Sequence, residues 1–310
     1  MRIRCLVTLP LSLILLTSLA AAQIKNPIKA ATDAYKEANQ QQQVPPQQVV
    51  PQQQATPAPT SSPAVNVDIV GIKPGMAADD AMQALKADNP RLKLTNTSIK
   101  AEGFADPLMP LVQGDDIAPT NVAQATQASE NIQVLLTTPP GQSVVWSAWR
   151  NYLFPTSQRP SMQATIDALV KKYGPPSTPV DPATNAQTID WVYDAQGKPM
   201  GPSGRQLDTI CQSTLSVYSG GNANQALNSD LAAPRSWPPQ CTSIIVVSAS
   251  VSGAQVSSNT IACNAMEVHL WDGGRYKKAL DATRSVMAAA AKARQDGSAN
   301  QVNSVPAPKL

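Results

Sequence analysis

His269 is the only histidine of the chain and the residue best suited to proton transfer near neutral pH. In an extended segment it shares a face with Glu267 and Trp271, opposite Met266, Val268 and Leu270. A general base also needs an orienting carboxylate and a nucleophile within hydrogen-bond reach. Asp272 is close in sequence, but no G-x-S-x-G elbow accompanies it, and Gly201-Pro202-Ser203-Gly204 only superficially resembles one. His269 therefore reads as solvent-facing or structural. No lysine has a serine three residues before it, which removes Ser-x-x-Lys hydrolysis. The phosphate-cradling patterns G-x-x-x-x-G-K-[ST] and G-x-G-x-x-G do not occur. Asp79-Asp80 reads as a helix start, and Asn96-Thr97-Ser98 as a glycosylation acceptor that a bacterial source would leave unused.

With one histidine and no CxxC, metal ligation has no support, and no cofactor is expected. Residues 181–190 lack the glycine and spaced carboxylates of a calcium loop. The net charge is +3 over 310 residues without a run of five basic residues, so neither nucleic acid nor an anionic membrane surface is an expected partner.

The four cysteines speak about compartment. Met1-Arg2-Ile3-Arg4 is a basic start, residues 6–22 are an apolar run, and Ala20-Ala21-Ala22 before Gln23 fits the rule for signal cleavage. The run contains Pro10 and is short for a bilayer span. Cys5 precedes the run, so no lipid anchor is expected. Export to a periplasmic or secreted location leaves Cys211, Cys241 and Cys263 where disulfides form. Loop entropy does not choose among the pairs: closures of 30, 52 and 22 residues are worth about 3.6, 4.1 and 3.4 kcal/mol. Context favours Cys211–Cys241, which brackets a Gly-, Asn-, Ser- and Pro-rich segment with little else to hold it shut. Cys263 lies in a strand-like run and is left as a free thiol.

The organisation follows from composition and periodicity. Residues 1–22 are the signal peptide, and 23–64 a Gln/Pro-rich disordered spacer that cannot bury enough apolar surface to offset its ordering entropy. A first unit, 65–158, holds a short strand at 67–70 and a helix with Ala78, Ala81, Met82 and Leu85 at i, i+3, i+4 and i+7. Residues 92–127 give no clear pattern. Two strands, 132–137 and 144–154, then join across Pro139-Pro140-Gly141. A second unit, 159–294, opens with a Ser161-capped helix whose stripe is Met162, Ile166, Leu169, Val170 and Tyr173, stopped by Gly174-Pro175-Pro176. Strands follow at 189–193, 242–250 and 262–271, then a helix over 275–294 and a loose polar tail, 295–310. The fold class is α+β: one or two small units of helices packed on antiparallel sheet. Arg159-Pro160-Ser161-Met162 echoes Lys73-Pro74-Gly75-Met76, each opening a helix.

Gly71-Ile72-Lys73-Pro74-Gly75-Met76 with its alanine-rich helix resembles the opening of BamE-type (SmpA/OmlA-type) periplasmic modules, and tandem modules of that kind build the β-lactamase inhibitor proteins. The segment from Arg159-Pro160 to Lys171-Lys172-Tyr173-Gly174-Pro175-Pro176-Ser177, with Leu270-Trp271-Asp272 before a last helix, is similar to a family of exported proteobacterial proteins. The resemblance implies small α+β units that bind proteins and catalyse nothing. All five tryptophans lie beyond residue 145, and Trp237, Trp146 and Trp149 are the candidate partner-binding residues, with Trp237-Pro238-Pro239 the most exposed. The expected function is thus a non-catalytic envelope-associated binding or scaffold module with another envelope protein as partner. Two alternatives stay open: a hydrolase of cell-wall or extracellular substrate working through carboxylates the sequence cannot pair, and a membrane-anchored coupling protein if residues 6–22 remain uncleaved.

Overall fold

The computed structural model describes residues 67–116, 128–218, 223–233, 235–257 and 260–303. The segments expected as signal peptide (1–22) and spacer (23–64) and the end of the tail lie outside them. Within them, five α-helices pack on a seven-stranded antiparallel sheet, so the fold is α+β. The strands are β1 (Lys93–Ile99), β2 (Leu108–Asp115), β3 (Ser129–Leu136), β4 (Val145–Leu153), β5 (Ala186–Asp194), β6 (Ile244–Ser257) and β7 (Thr260–Asp272), and their spatial order is β1-β2-β3-β4-β7-β6-β5. The helices are α1 (Ala78–Asp88), α2 (Met162–Tyr173), α3 (Arg205–Leu215), α4 (Ala223–Ala232) and α5 (Gly273–Asn303).

Both sequence segments contribute to the one sheet. β4, the last strand of residues 65–158, pairs with β7, the last strand of 159–294, from Ser147 opposite Trp271 to Leu153 opposite Ala265. The two sequence echoes occupy matching positions around this seam. Before α1, Ala77 bridges Val144, and before α2, Ser161 bridges Ala262. The caps differ. The N–H of Ala164 donates to Ser161 Oγ at 3.1 Å, whereas Ala77 offers α1 no side-chain oxygen. The short strand expected at 67–70 is a tight turn instead. Ile69 and Ile72 exchange backbone hydrogen bonds of 3.0 and 2.8 Å across Val70 (φ 45°) and Gly71 (φ 84°). A two-residue turn of this hand needs positive φ at both central positions, which is cheap for Gly71 and strained for the β-branched Val70.

Alternation divides the apolar residues between two faces. Val134, Ala148, Val268, Val247, Trp191 and Tyr193 face α1 and α2, forming the larger core with Leu85, Ile166, Leu169 and Tyr173. Leu135, Trp271, Val246 and Val192 face α3, α4 and α5 and join Leu215, Leu227, Tyr276 and Leu280. The Cys211–Cys241 disulfide lies in this second core with a Cα–Cα distance of 5.4 Å, and Cys263 is a buried free thiol in the first.

Three further expectations are corrected. The bracketed segment 212–240 is no open loop: it carries the end of α3 and all of α4, whose Ala226, Leu227 and Leu231 are buried. The tail does not start at 295. α5 continues to Asn303, helped by an Arg294–Glu102 ion pair and a Lys292–Asp296 pair at 2.9 Å. Trp237 is 7 % exposed, because its ring packs 5.4 Å from that of Tyr276 and 6.1 Å from that of Tyr218.

Candidate functional site

The face of the sheet that carries α3, α4 and α5 changes character along its strands. Under the helices runs a mostly apolar cross-sheet row, Leu111, Leu135, Trp271, Val246 and Val192, with Thr97 and Ser147 as its two polar members. One step along each strand, two residues on, the facing positions are Thr95, Gln113, Gln133, Trp149, His269, Ser248 and Asp190. One step further they are Lys93, Asp115, Asn131, Asn151, Glu267, Ser250 and Thr188. Every one of these fourteen side chains carries a polar atom. The outermost row is half-buried or exposed along its whole length. An antiparallel sheet is free to leave part of one face wet, and here the outermost row is left so, while Gln133, His269, Ser248 and Asp190 in the inner row are buried.

At one end of this surface a cleft of about 760 Å³ opens among Arg91, Lys93, Asp115, Asp116, Glu130, Asn131, Trp149 and Asn151. Its carboxylates are engaged. Asp116 pairs with Arg91 at 2.7 Å, and Glu130 pairs with Arg150 at 2.5 Å while accepting from Asn89 Nδ2 at 3.0 Å. Asp115 accepts from Asn131 Nδ2 at 2.6 Å and from Gln113 Nε2 at 3.3 Å. Spending the amide N–H on Asp115 fixes which way the Asn131 amide faces, and its Oδ1 is left without a hydrogen-bond partner. Gln133, on the same face two residues on, is 5 % exposed and its Oε1 is unpartnered too.

In the middle lies His269. Its Nε2 is 2.5 Å from Glu267 Oε1, and its ring stacks on Trp271 at 4.9 Å. Hydrogen bonding from His269 holds the Glu267 carboxyl below the usual range against the opposing effect of burial. His269 is 9 % exposed, so it does not face solvent. Asp272 does not join it. That carboxylate caps α5, accepting from the Arg275 N–H at 2.9 Å and from its Nε at 3.0 Å.

At the far end Asp190 on β5 and Asp208 on α3 are 4 % and 5 % exposed and hydrogen-bond each other. Burial first, then the charge of Asp190, pushes Asp208 up to about 7. Asp190 is raised by burial too, with Ser248 and Asp208 hydrogen-bonding against the rise. A glycosidase pair stands roughly 5–9.5 Å apart with substrate between. Two carboxyls in direct contact and out of solvent are instead a proton-sharing clasp between helix and sheet.

Of the candidate tryptophans, Trp149 lines the cleft and is half-buried, whereas Trp146 is fully buried and stacks on Tyr276 at 4.1 Å. Trp146 and Trp237 therefore present no ring to a partner. Ser203 donates to the Met200 carbonyl at 2.6 Å in the turn that opens α3, and Asp79 and Asp80 sit exposed in the first turn of α1. Among the described residues no three His, Cys, Asp or Glu side chains are grouped to hold a metal, and no helix is long and apolar enough to cross a membrane. Asp190 and Asp208 escaped the sequence reading, although an aspartate between Ile189 and Trp191 is the kind of interruption that marks a buried polar site. The chain matches no family model, no curated protein and no solved structure.

Proposed function

We propose that this protein is an exported, non-catalytic binding module of the cell envelope, and that the open polar half of its sheet is the recognition surface. The observation that carries the reading is the pair of adjacent polar rows spanning all seven strands, the outer one half-buried or exposed throughout. A sheet face that served only as a lid for helices would continue the apolar row. The disulfide suits an oxidising compartment, and the resemblance to BamE-type modules implies the same manner of action. The carboxylates in the cleft are occupied by cations and amides, and the carboxyl pair Asp190–Asp208 is out of solvent.

Site-directed photocrosslinking in a Gram-negative host tests this. The photoreactive p-benzoylphenylalanine replaces Ser250 or Thr188 on the open row, or Gln163, exposed on α2 across the sheet. Adducts are expected from Ser250 and Thr188 alone. Equal labelling from Gln163, or none from the open row, overturns the reading. N-terminal sequencing of the exported chain is expected to begin at Gln23, and a chain beginning at Met1 would favour the anchored alternative.

A further inference from the structure

We infer that the cleft beside Trp149 binds a short stretch of neutral, polyhydroxylated sugar chain. The inference rests on the open face being a recognition surface and adds the ligand class.

The cleft and the row beside it leave groups of both kinds unmade, acceptors on Asn131 and on the neighbouring Gln133 and a donor at Trp149 Nε1, and a hydroxyl can meet either. Asn131 Oδ1 and Gln133 Oε1 are acceptors without partners on one face of β3, and the orientation of Asn131 is set by its bond to Asp115. Buried acceptors left unmade are costly, and a ligand that brings O–H groups relieves that cost. Around them stand further amides and carboxylates, Gln113, Asn151 and Asp115, which are the planar acceptor and donor groups that hydroxyls satisfy.

The charge balance disfavours an anion. Three carboxylates, Asp115, Asp116 and Glu130, line the cleft against two cations, and Arg91 is drawn onto Asp116. A peptide is disfavoured by the backbone. The floor is the face of β2, β3 and β4, whose ladders are already made on both sides, so no strand can be added there by main-chain pairing. The remaining feature is the half-buried indole of Trp149, a flat apolar surface with a polar edge, suited to the C–H face of a pyranose ring. The volume of about 760 Å³ is within the range of small-ligand sites.

The test titrates the mature full chain with tetra-N-acetylchitotetraose and with cellotetraose, read by calorimetry and tryptophan fluorescence. The other four tryptophans are at most 7 % exposed, so the fluorescence change reports Trp149. Saturable binding of at least one sugar is expected, weakened at least tenfold by Trp149→Ala and less by Trp149→Phe. Asn131→Leu, which removes the unpartnered acceptor, is expected to weaken binding at least fivefold with an unchanged thermal midpoint, and it decides the matter if Trp149→Ala does not fold. No binding of either sugar at millimolar concentration, or full affinity in a folded Asn131→Leu chain, overturns the inference. Failure here with Ser250 adducts still formed, on a protein for instance, leaves the recognition surface standing and removes the sugar. Failure of both removes the surface as well.

Discussion

Asp190 and Asp208 meet carboxyl to carboxyl between β5 and α3, at 4 % and 5 % exposure, and a hydrogen bond between them requires one proton. The unfolded chain releases that proton near the ordinary aspartate value of about 4, whereas burial and Asp190 hold Asp208 up at about 7. Folding stability contributed by this pair is therefore full below about pH 4, falls as pH rises from there to about 7, and is level above. Asp208→Asn keeps a donor toward Asp190 and carries no charge. It is expected to raise stability at pH 8 by roughly 1–3 kcal/mol and to flatten the slope between pH 5 and pH 7. Urea unfolding across that interval measures both, and an unaltered slope in the variant would sink the assignment.

Asp230 is a second buried carboxylate with the opposite solution, since three donors surround it. Tyr276 donates to its Oδ2 at 2.7 Å, Tyr218 donates to the same oxygen, and Arg235 Nε reaches Oδ1 at 3.1 Å. Asp230→Ala strands both tyrosine hydroxyls in the core beneath α5, leaves the half-buried Arg235 without its carboxylate, and is expected to cost roughly 2–4 kcal/mol. Asp281→Ala removes only an exposed i,i+4 pair with Lys277 and is expected to cost under about 0.5 kcal/mol. Denaturant midpoints of the two variants, compared side by side, check the contrast.

The Cys211–Cys241 bridge ties α3 to the turn before β6. Closing a loop of 30 residues is worth about 3.6 kcal/mol. The doubly substituted chain, Cys211→Ser with Cys241→Ser, is expected to lose about that much. Its loss is expected to expose Trp237 to acrylamide quenching, because Trp237 lies against the same junction, where Gly273 passes too close to the Cys241 carbonyl to accept a Cβ. Unchanged quenching would show that the tryptophan is held by its aromatic neighbours alone.

Features governed by neighbours along the chain were legible in the sequence. The Ser161 cap with its stripe from Met162 to Tyr173, the hairpin of β3 and β4, and the pairing of Cys211 with Cys241 all depend on local pattern or local context. The two polar rows across the sheet were not legible. Gln133, Trp149, His269 and Ser248 stand in one row only because β4 pairs with β7, more than a hundred residues apart, and in isolation each reads as an ordinary outward position of its own strand. Trp237 misled for a related reason. Two prolines after it suggest an exposed loop, and nothing nearby announces that Tyr218 and Tyr276 will close over it.

The strand laid down last occupies the middle of the sheet. Until the ribosome has passed Asp272, β4 has a bare hydrogen-bonding margin on one flank, and so does β6, each fully formed in sequence and missing the same neighbour. Completion comes in one late step that joins two half-built parts of the sheet, so a nascent or nicked chain lacking its final fifty or so residues offers two sticky borders at once. A chain stopped at residue 259 is expected to self-associate in sedimentation experiments under conditions where the whole protein stays dispersed.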